Sequence, residues 1–285
     1  TFKPITVAMG IDQNIIKEEM TFDVRKPIKG TIHDYHPYNG YYNVKEIVVN
    51  SSNIGTAKIA EKIGKKVQID FFKKIGFYEK FDFELKESAK PLGNKHHWGE
   101  IETMTIGYGH GFAVTPLHLI TAYASLANNG IKIYPKISLV KKVVKKQERI
   151  VKKETAEYFL KLLRAVILET KFTGKRVKIP GYEIGGKTGT ADLNKRGKYI
   201  KDANLTSFIG VFPISDPKFA VLSIIENPKK IKAENNLNTG AVVNAPLVKK
   251  IILRMIEILH IPKIYKKEIL NAATSIKYSK NYATF

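Results

Sequence analysis

Gly185-Gly186-Lys187-Thr188-Gly189-Thr190-Ala191 is the stretch on which the reading of this 285-residue chain turns. Two structural contexts fit its letters. Counted back to Gly181, it satisfies the phosphate-loop spacing Gly-x-x-x-x-Gly-Lys-Thr, which needs a buried strand before it and a helix opening directly after it. Gly189 follows at once, and Asp192 to Asn204 is polar with no capped apolar helix, so the context disfavours a nucleotide site. The other context is a strand edge. There a glycine lets a bound chain approach the backbone, while two hydroxyls and an ammonium meet a carboxylate. Residues Tyr182 to Ala191 read as such a strand. Leu205 to Phe212 and Phe219 to Ile225 are apolar runs separated by Pro213-Ile214-Ser215-Asp216-Pro217, a turn signal that pairs them antiparallel. A sheet of at least three strands results.

Around that sheet the apolar spacing predicts helices in blocks, an α/β chain of the α+β kind rather than a repeating strand-helix-strand pattern. Residues 4–20 read as a helix that tolerates Pro4 in its first turn. Residues 21–43 are loop with short strands. Further helices are expected over Val44 to Asn50, from Ile54 until Gly64 stops it, over Val67 to Ile75, from the Thr115-Pro116 cap to Asn129-Gly130, and over Thr155 to Glu169. Ile131 to Lys153, with its lysine pairs, reads as an exposed hairpin. Pro246 opens a last helix whose face Val248, Ile251, Ile252, Met255 and Leu259 packs on the sheet. One unit over residues 1–271 and a polar tail over 272–285 follow.

Composition narrows the chemistry. The chain has no cysteine, which excludes disulfide scaffolds, thiolate zinc sites and cysteine nucleophiles. Its 48 Lys+Arg against 26 Asp+Glu give a net charge of +22, which suits an anionic partner without naming one. Lysine is spread along the chain rather than clustered on one helix, and no nucleic-acid recognition motif is present. No apolar run approaches the roughly 18 to 20 residues of a membrane span. His33 and His36 are spaced as metal ligands and His96-His97 are adjacent, but no carboxylate pattern completes a metal site. Trp98 is a packing anchor or a cleft wall, His110 a loop residue near the site, and Gly107, Gly109 and Gly111 a tight turn beneath it.

The strand-edge reading makes Lys187-Thr188-Gly189 the third element of a serine acyl-transfer set, Ser-x-x-Lys, Ser-x-Asn and Lys-Thr-Gly. Ser51-Ser52-Asn53 supplies the second, at a helix junction. Thr1-Phe2-Lys3-Pro4 looks like the end of the first. Longer stretches sharpen the match: Tyr-Asn-Val-Lys-Glu-Ile-Val-Val-Asn-Ser-Ser-Asn-Ile-Gly-Thr-Ala-Lys-Ile-Ala (42–60), Thr-Ile-Gly-Tyr-Gly-His-Gly-Phe-Ala-Val-Thr-Pro-Leu (105–117) and Leu-Thr-Ser-Phe-Ile-Gly-Val-Phe-Pro (205–213). From Thr1 to about Leu259 the chain resembles the transpeptidase domain of class B penicillin-binding proteins, most of all their cell-division (septal) branch.

That resemblance implies a penicillin-recognising fold, an antiparallel sheet between helical layers, and a peptidoglycan D,D-transpeptidase acting without a cofactor. It implies a nucleophilic serine immediately before Thr1, with the chain being the later part of a longer protein. Lys3 would be its base, kept neutral by burial and nearby positive charge. Ser51 would relay a proton to the leaving amine, and Asn53 would hold the substrate amide and Lys3. Lys187 would add positive potential, Thr188, Gly189 and Thr190 would bind the terminal carboxylate of a D-Ala-D-Ala stem peptide, and the Thr190 amide would complete the oxyanion hole. Implied partners are stem peptides, β-lactams, a septal glycosyltransferase and other division proteins, and an upstream anchor in the bacterial inner membrane with catalysis in the periplasm. A D,D-carboxypeptidase or β-lactamase-type hydrolase, and a non-catalytic β-lactam sensor, remain as alternatives; no Glu-x-x-Leu-Asn loop of the class A β-lactamase kind lies between Ser51-Ser52-Asn53 and Lys187-Thr188-Gly189.

Overall fold

Pro4 has no amide hydrogen to lose at a helix start, and α1 (Lys3–Asp12) begins around it. The computed structural model describes residues 1–263 apart from 83, 86, 94–97, 139–146 and 196–197. Nearly every residue of α1 is buried, so it is the central helix rather than a surface one. It stops at Asp12 instead of continuing to residue 20. Asn14 takes a left-handed conformation (φ 55°), and the amides of Ile15 and Ile16 both turn back to the Gly10 carbonyl, 3.0 and 3.2 Å away.

The chain then forms a small ribbon, β1 (Thr21–Asp23) against β2 (Tyr41–Asn43), and enters α2 (Val44–Val49) through an Asn43/Glu46 capping box. The long α3 (Asn53–Ile75) joins the two helices expected on either side of Gly64. That glycine sits at φ 78°, outside helical geometry, and kinks the element. Gln68 then reaches back with Nε2 to the Ala60 carbonyl at 3.1 Å, satisfying an acceptor the kink leaves open, and to Thr103 O at 3.0 Å. Two helices escaped the sequence reading, α4 (Glu100–Gly107) and α7 (Lys171–Val177); both are short and carry little periodicity. Between them lie α5 (Pro116–Ala127), started by the Thr115 cap as expected and followed by left-handed Asn129 and Gly130, and α6 (Lys153–Glu169). Ile131 bridges Arg149 at the base of the expected hairpin, whose lysine-rich centre lies outside the described residues.

The sheet is antiparallel in the order β3 (Gly185–Lys195), β4 (Lys198–Phe212), β5 (Phe219–Glu226). It starts later than Tyr182 and runs on through the polar stretch that follows Ala191, because Asp192 pairs with Asn204 beyond the apolar part of the hairpin. No helix follows Lys187-Thr188, which removes the phosphate-loop reading. The register shows the layering. Gly185 pairs with Val211 and faces Leu163 of α6, whereas Gly210, one residue along and therefore on the other face, meets Val248 of α8 (Asn244–Ile258). Of the expected α8 face, Val248 and Ile252 are fully buried, while Ile251 and Leu259 are exposed. The expected tail lies outside the described residues.

Asp12 ties the end of α1 to the start of α6. The α6 N-cap residue, Lys152, has no side-chain cap of its own, and Asp12 Oδ1 accepts from Lys152 N at 2.6 Å and Thr155 Oγ1 at 3.2 Å. The carboxylate is 6% exposed, so its loss leaves buried donors unpaired. Asp12→Ala is expected to destabilise the domain by about 1–3 kcal/mol, read as a lower denaturant midpoint at unchanged slope.

Candidate active site

Three segments far apart in sequence meet at one hydroxyl. Lys3, in the first turn of α1, donates from Nζ to Ser51 Oγ at 3.0 Å and to the Ser51 carbonyl at 2.7 Å. Lys187, on β3, donates to the same Oγ at 3.0 Å. Both lysines are buried, with 8% and 1% exposure. Two N–H donors occupy both lone pairs of the hydroxyl oxygen, which leaves its own proton for a third partner.

The turn carrying Ser51 is over-determined. Ser51 is a non-glycine residue at φ 58°, a conformation that persists only where surroundings enforce it. Here the enforcement is visible: Ser52 N closes α2 on the Ile47 carbonyl at 3.0 Å, and Ser52 Oγ caps α3 by accepting from Gly55 N at 2.9 Å. Asp34, from the loop after β1, clamps the same turn. Its Oδ2 accepts from Ser52 Oγ at 2.6 Å and its Oδ1 from the amides of Asn53 and Ile54, the latter at 2.9 Å, so an anion sits on the first turn of α3.

Asn53 is held differently from expectation. Its Nδ2 donates to the His33 carbonyl at 2.8 Å, and it makes no hydrogen bond with Lys3, which both oxygens of Ser51 hold instead. The start of α3 turns the Asn53 side chain toward the His33–Asp34 loop. Thr188 and Thr190 are half-buried and exposed on β3, and the Thr190 hydroxyl oxygen accepts from Gly240 N at 3.1 Å. That bond leaves the Thr190 proton free to donate outward. Gly189 lies where β3 passes Ser207 and the start of α1: a Cβ there would stand 2.4 Å from Ser207 Oγ and 3.3 Å from Thr1 Cγ2. The amino group of Thr1 donates to the Thr188 carbonyl at 3.3 Å, which shows the start of α1 lying beside the strand.

Burial, and then the charge of Lys187, draw the Lys3 pKa down to about 7, with Asp34 opposing the shift. Burial alone brings Lys187 down to about 8. Near neutral pH one of the two is therefore free to be an amine beside a charged partner.

Beneath the site, Gly109 (φ 96°) brings the turn between α4 and α5 against Phe2; a Cβ there would come within 3.1 Å of the phenylalanine. Trp98 is 3% exposed, packs on Phe72 and Phe112 and donates to Thr103 Oγ1 at 3.1 Å, which makes it a packing anchor. His33 Nε2 lies 2.9 Å from the Gly30 carbonyl, and among the described residues no three His, Asp or Glu side chains converge; His96-His97 lie outside them.

Over residues 1–253 the sequence matches the family described as penicillin binding protein transpeptidase domain. The chain belongs to this family. It is 32% identical over 288 residues to "Probable peptidoglycan D,D-transpeptidase FtsI" of Caulobacter vibrioides, covering 97% of this chain and 48% of that protein. It is 31% identical to "Stage V sporulation protein D" of Bacillus subtilis, covering 87% and 40%. The chain thus spans about half the length of these relatives. The fold matches the transpeptidase domain of Burkholderia pseudomallei penicillin-binding protein 3 with a TM-score of 0.81 at 24% identity, covering 93% of this chain and 80% of that one. It matches penicillin-binding protein 3 of Mycobacterium tuberculosis complexed with ampicillin with a TM-score of 0.82 at 22% identity, covering 93% and 63%. The penicillin-recognising fold and the kinship with the FtsI branch agree with the sequence reading.

Asp34 was missed because a carboxylate in a turn-rich loop has no periodic signature; its value appears only once the loop is seen to return to the α3 N-terminus. The depressed lysines give a stability test. Between about 7 and the ordinary lysine value of 10.5 the unfolded chain binds more protons than the native one, so raising pH across that window favours folding. Below about 7 both states are protonated and this dependence vanishes. Urea midpoints at pH 7, 8 and 9 are expected to climb, and Lys3→Met to flatten the climb.

Proposed function

We propose that this domain is the catalytic part of a septal peptidoglycan D,D-transpeptidase, working through a serine acyl-enzyme and inhibited by β-lactams. The observation that carries the reading is the meeting of Lys3 and Lys187 on Ser51 Oγ, each at 3.0 Å, beside the edge of a strand bearing Thr188 and Thr190. The nucleophile is assigned to the serine expected immediately before Thr1 in the parent protein, three residues from Lys3 in sequence.

In this mechanism the amine of Lys3 takes the serine proton as Oγ attacks the carbonyl carbon of the penultimate D-alanine. The developing oxyanion is met by backbone amides of the serine and of Thr190. The peptide C–N bond breaks, and the departing D-alanine amine receives its proton through Ser51, whose own proton is not engaged by the two lysines. Asn53 Oδ1 and the His33–Asp34 loop orient the substrate amide. Thr188 and Thr190 donate to its terminal carboxylate, Gly189 keeping the strand close, with Lys187 supplying positive charge. An amine of a neighbouring stem peptide then attacks the acyl carbon, passing a proton through Ser51 to Lys3; the C–O bond to the serine breaks, its oxygen takes a proton back from Lys3, and the cross-link and free serine result.

The names of the relatives support peptidoglycan as substrate and D,D-transpeptidation as the reaction, and the ampicillin complex of a protein of like fold suits β-lactams as ligands; the septal role, beside a septal glycosyltransferase and other division proteins, is carried over from the family resemblance. An upstream anchor in the inner membrane, with this domain in the periplasm, belongs to the same proposal. The catalytic unit is taken as residues 1–271.

Intact mass of the parent protein after exposure to a penicillin tests the reading. A stable one-to-one adduct is expected, lost when the serine before Thr1 is replaced and formed about 10²–10⁴ times more slowly in Lys3→Met. Rapid drug turnover would make the domain a hydrolase. Folded protein with no adduct would make it a non-catalytic binder.

A further inference from the structure

The first turn of α1 has a carbonyl that its own helix does not serve. An α-helical partner for Thr1 O would be the amide of Ile5, but Ile5 N bonds the Phe2 carbonyl at 2.8 Å instead. A tighter, three-residue partner would be the amide of residue 4, and residue 4 is proline. Among the described residues no backbone amide reaches Thr1 O. Its partner is the hydroxyl of Tyr123 on α5, which donates to it at 2.6 Å.

Tyr123 is fully buried, and its ring lies edge-on to Phe159 of α6 with centroids 5.2 Å apart. Its only hydroxyl contact among the described residues is therefore a fixed one, made from a rigid side chain between two helices. The Thr1 carbonyl is thus held on α5 through Tyr123, while the Thr1 nitrogen lies 3.3 Å from the Thr188 carbonyl of β3. The peptide so fixed is Thr1–Phe2, which lies in the chain between the residue before Thr1 and Lys3.

We infer that Tyr123 is a positioning residue for acyl transfer, standing in for the backbone donor that Pro4 removes and setting the direction in which the residue before Thr1 presents its side chain to Lys3. The inference rests on the function proposed above. The Tyr123 hydroxyl hydrogen-bonds the Thr1 carbonyl rather than Ser51 or the β3 threonines, so it bears on the chemical step and not on ligand binding.

The test uses the parent protein and a chromogenic cephalosporin, resolving the non-covalent binding constant from the acylation rate constant. Tyr123→Phe removes one oxygen. It is expected to lower the acylation rate constant about 10- to 100-fold, with the binding constant and the pH midpoints of acylation unchanged. Thr155→Val serves as the comparison, removing a buried hydroxyl of α6 that bonds Asp12 at the far end of α1, and is expected to lower the melting temperature without slowing acylation. Pro4→Ala restores an amide hydrogen three residues from the Thr1 carbonyl, so adding it to Tyr123→Phe should recover a large part of the lost rate and, where the single variant folds poorly, supply a foldable one. A Tyr123→Phe protein acylated as fast as wild type, or slowed no more than Thr155→Val, would overturn the inference; so would a Pro4→Ala change that acts identically with and without Tyr123. If wild type is not acylated at all, the proposed activity itself fails and takes this role with it.

Discussion

Two buried lysines on one serine hydroxyl set the terms for the rest of this domain. An ammonium group out of water is costly unless it is hydrogen-bonded, and two of them sharing an acceptor also repel. The arrangement holds only because Ser51 offers both a carbonyl and a hydroxyl to Lys3, because Asp34 lies close enough to favour its charge, and because the surrounding chain cannot move away. Reactivity and rigidity thus have one origin: the burial that lowers the lysine pKa values toward neutrality also demands tightly fixed partners.

The fold reads as the means of supplying that fixation. Each contributor comes from a different layer, Lys3 from the central helix, Ser51 from the α2–α3 junction and Lys187 from the edge of the sheet. Each is secured by contacts outside the trio. The junction is clamped by Asp34 and by the Ser52 cap, the sheet edge is locked by its register with β4 and by the Gly240 amide on Thr190, and α1 is pinned by Tyr123 at one end and Asp12 at the other. The glycines at 109 and 189 belong to the same scheme, since each marks a place where a turn or strand must come close to the start of α1.

The parts legible in the sequence were those with a local signal. Lys187-Thr188-Gly189 on a strand, the Ser51-Ser52-Asn53 junction, the Thr115-Pro116 helix start and the break at Gly64 each announce themselves through turn chemistry or periodicity. The parts that stayed hidden depend on tertiary return. Asp34 and Tyr123 look like an ordinary loop carboxylate and an ordinary core aromatic, and the orientation of Asn53 toward His33 depends on a loop whose path no spacing rule gives. The length of α1 was overread because Ile15 and Ile16 continue its apolar pattern while Asn14 turns the backbone out of it. The hairpin of β3 and β4 was underread for the opposite reason, its outer half being polar yet still paired.

Proton transfer at this site depends on the protonation of the two lysines, and carbon NMR of their ε-methylene groups measures it directly. With ¹³C-labelled lysine and Lys3→Met and Lys187→Met variants for assignment, the account predicts signals titrating near pH 7 for Lys3 and near pH 8 for Lys187, the Lys3 midpoint rising when Lys187 loses its charge by substitution. Two lysines titrating together near the ordinary value of 10.5, indifferent to each other's removal, would contradict it.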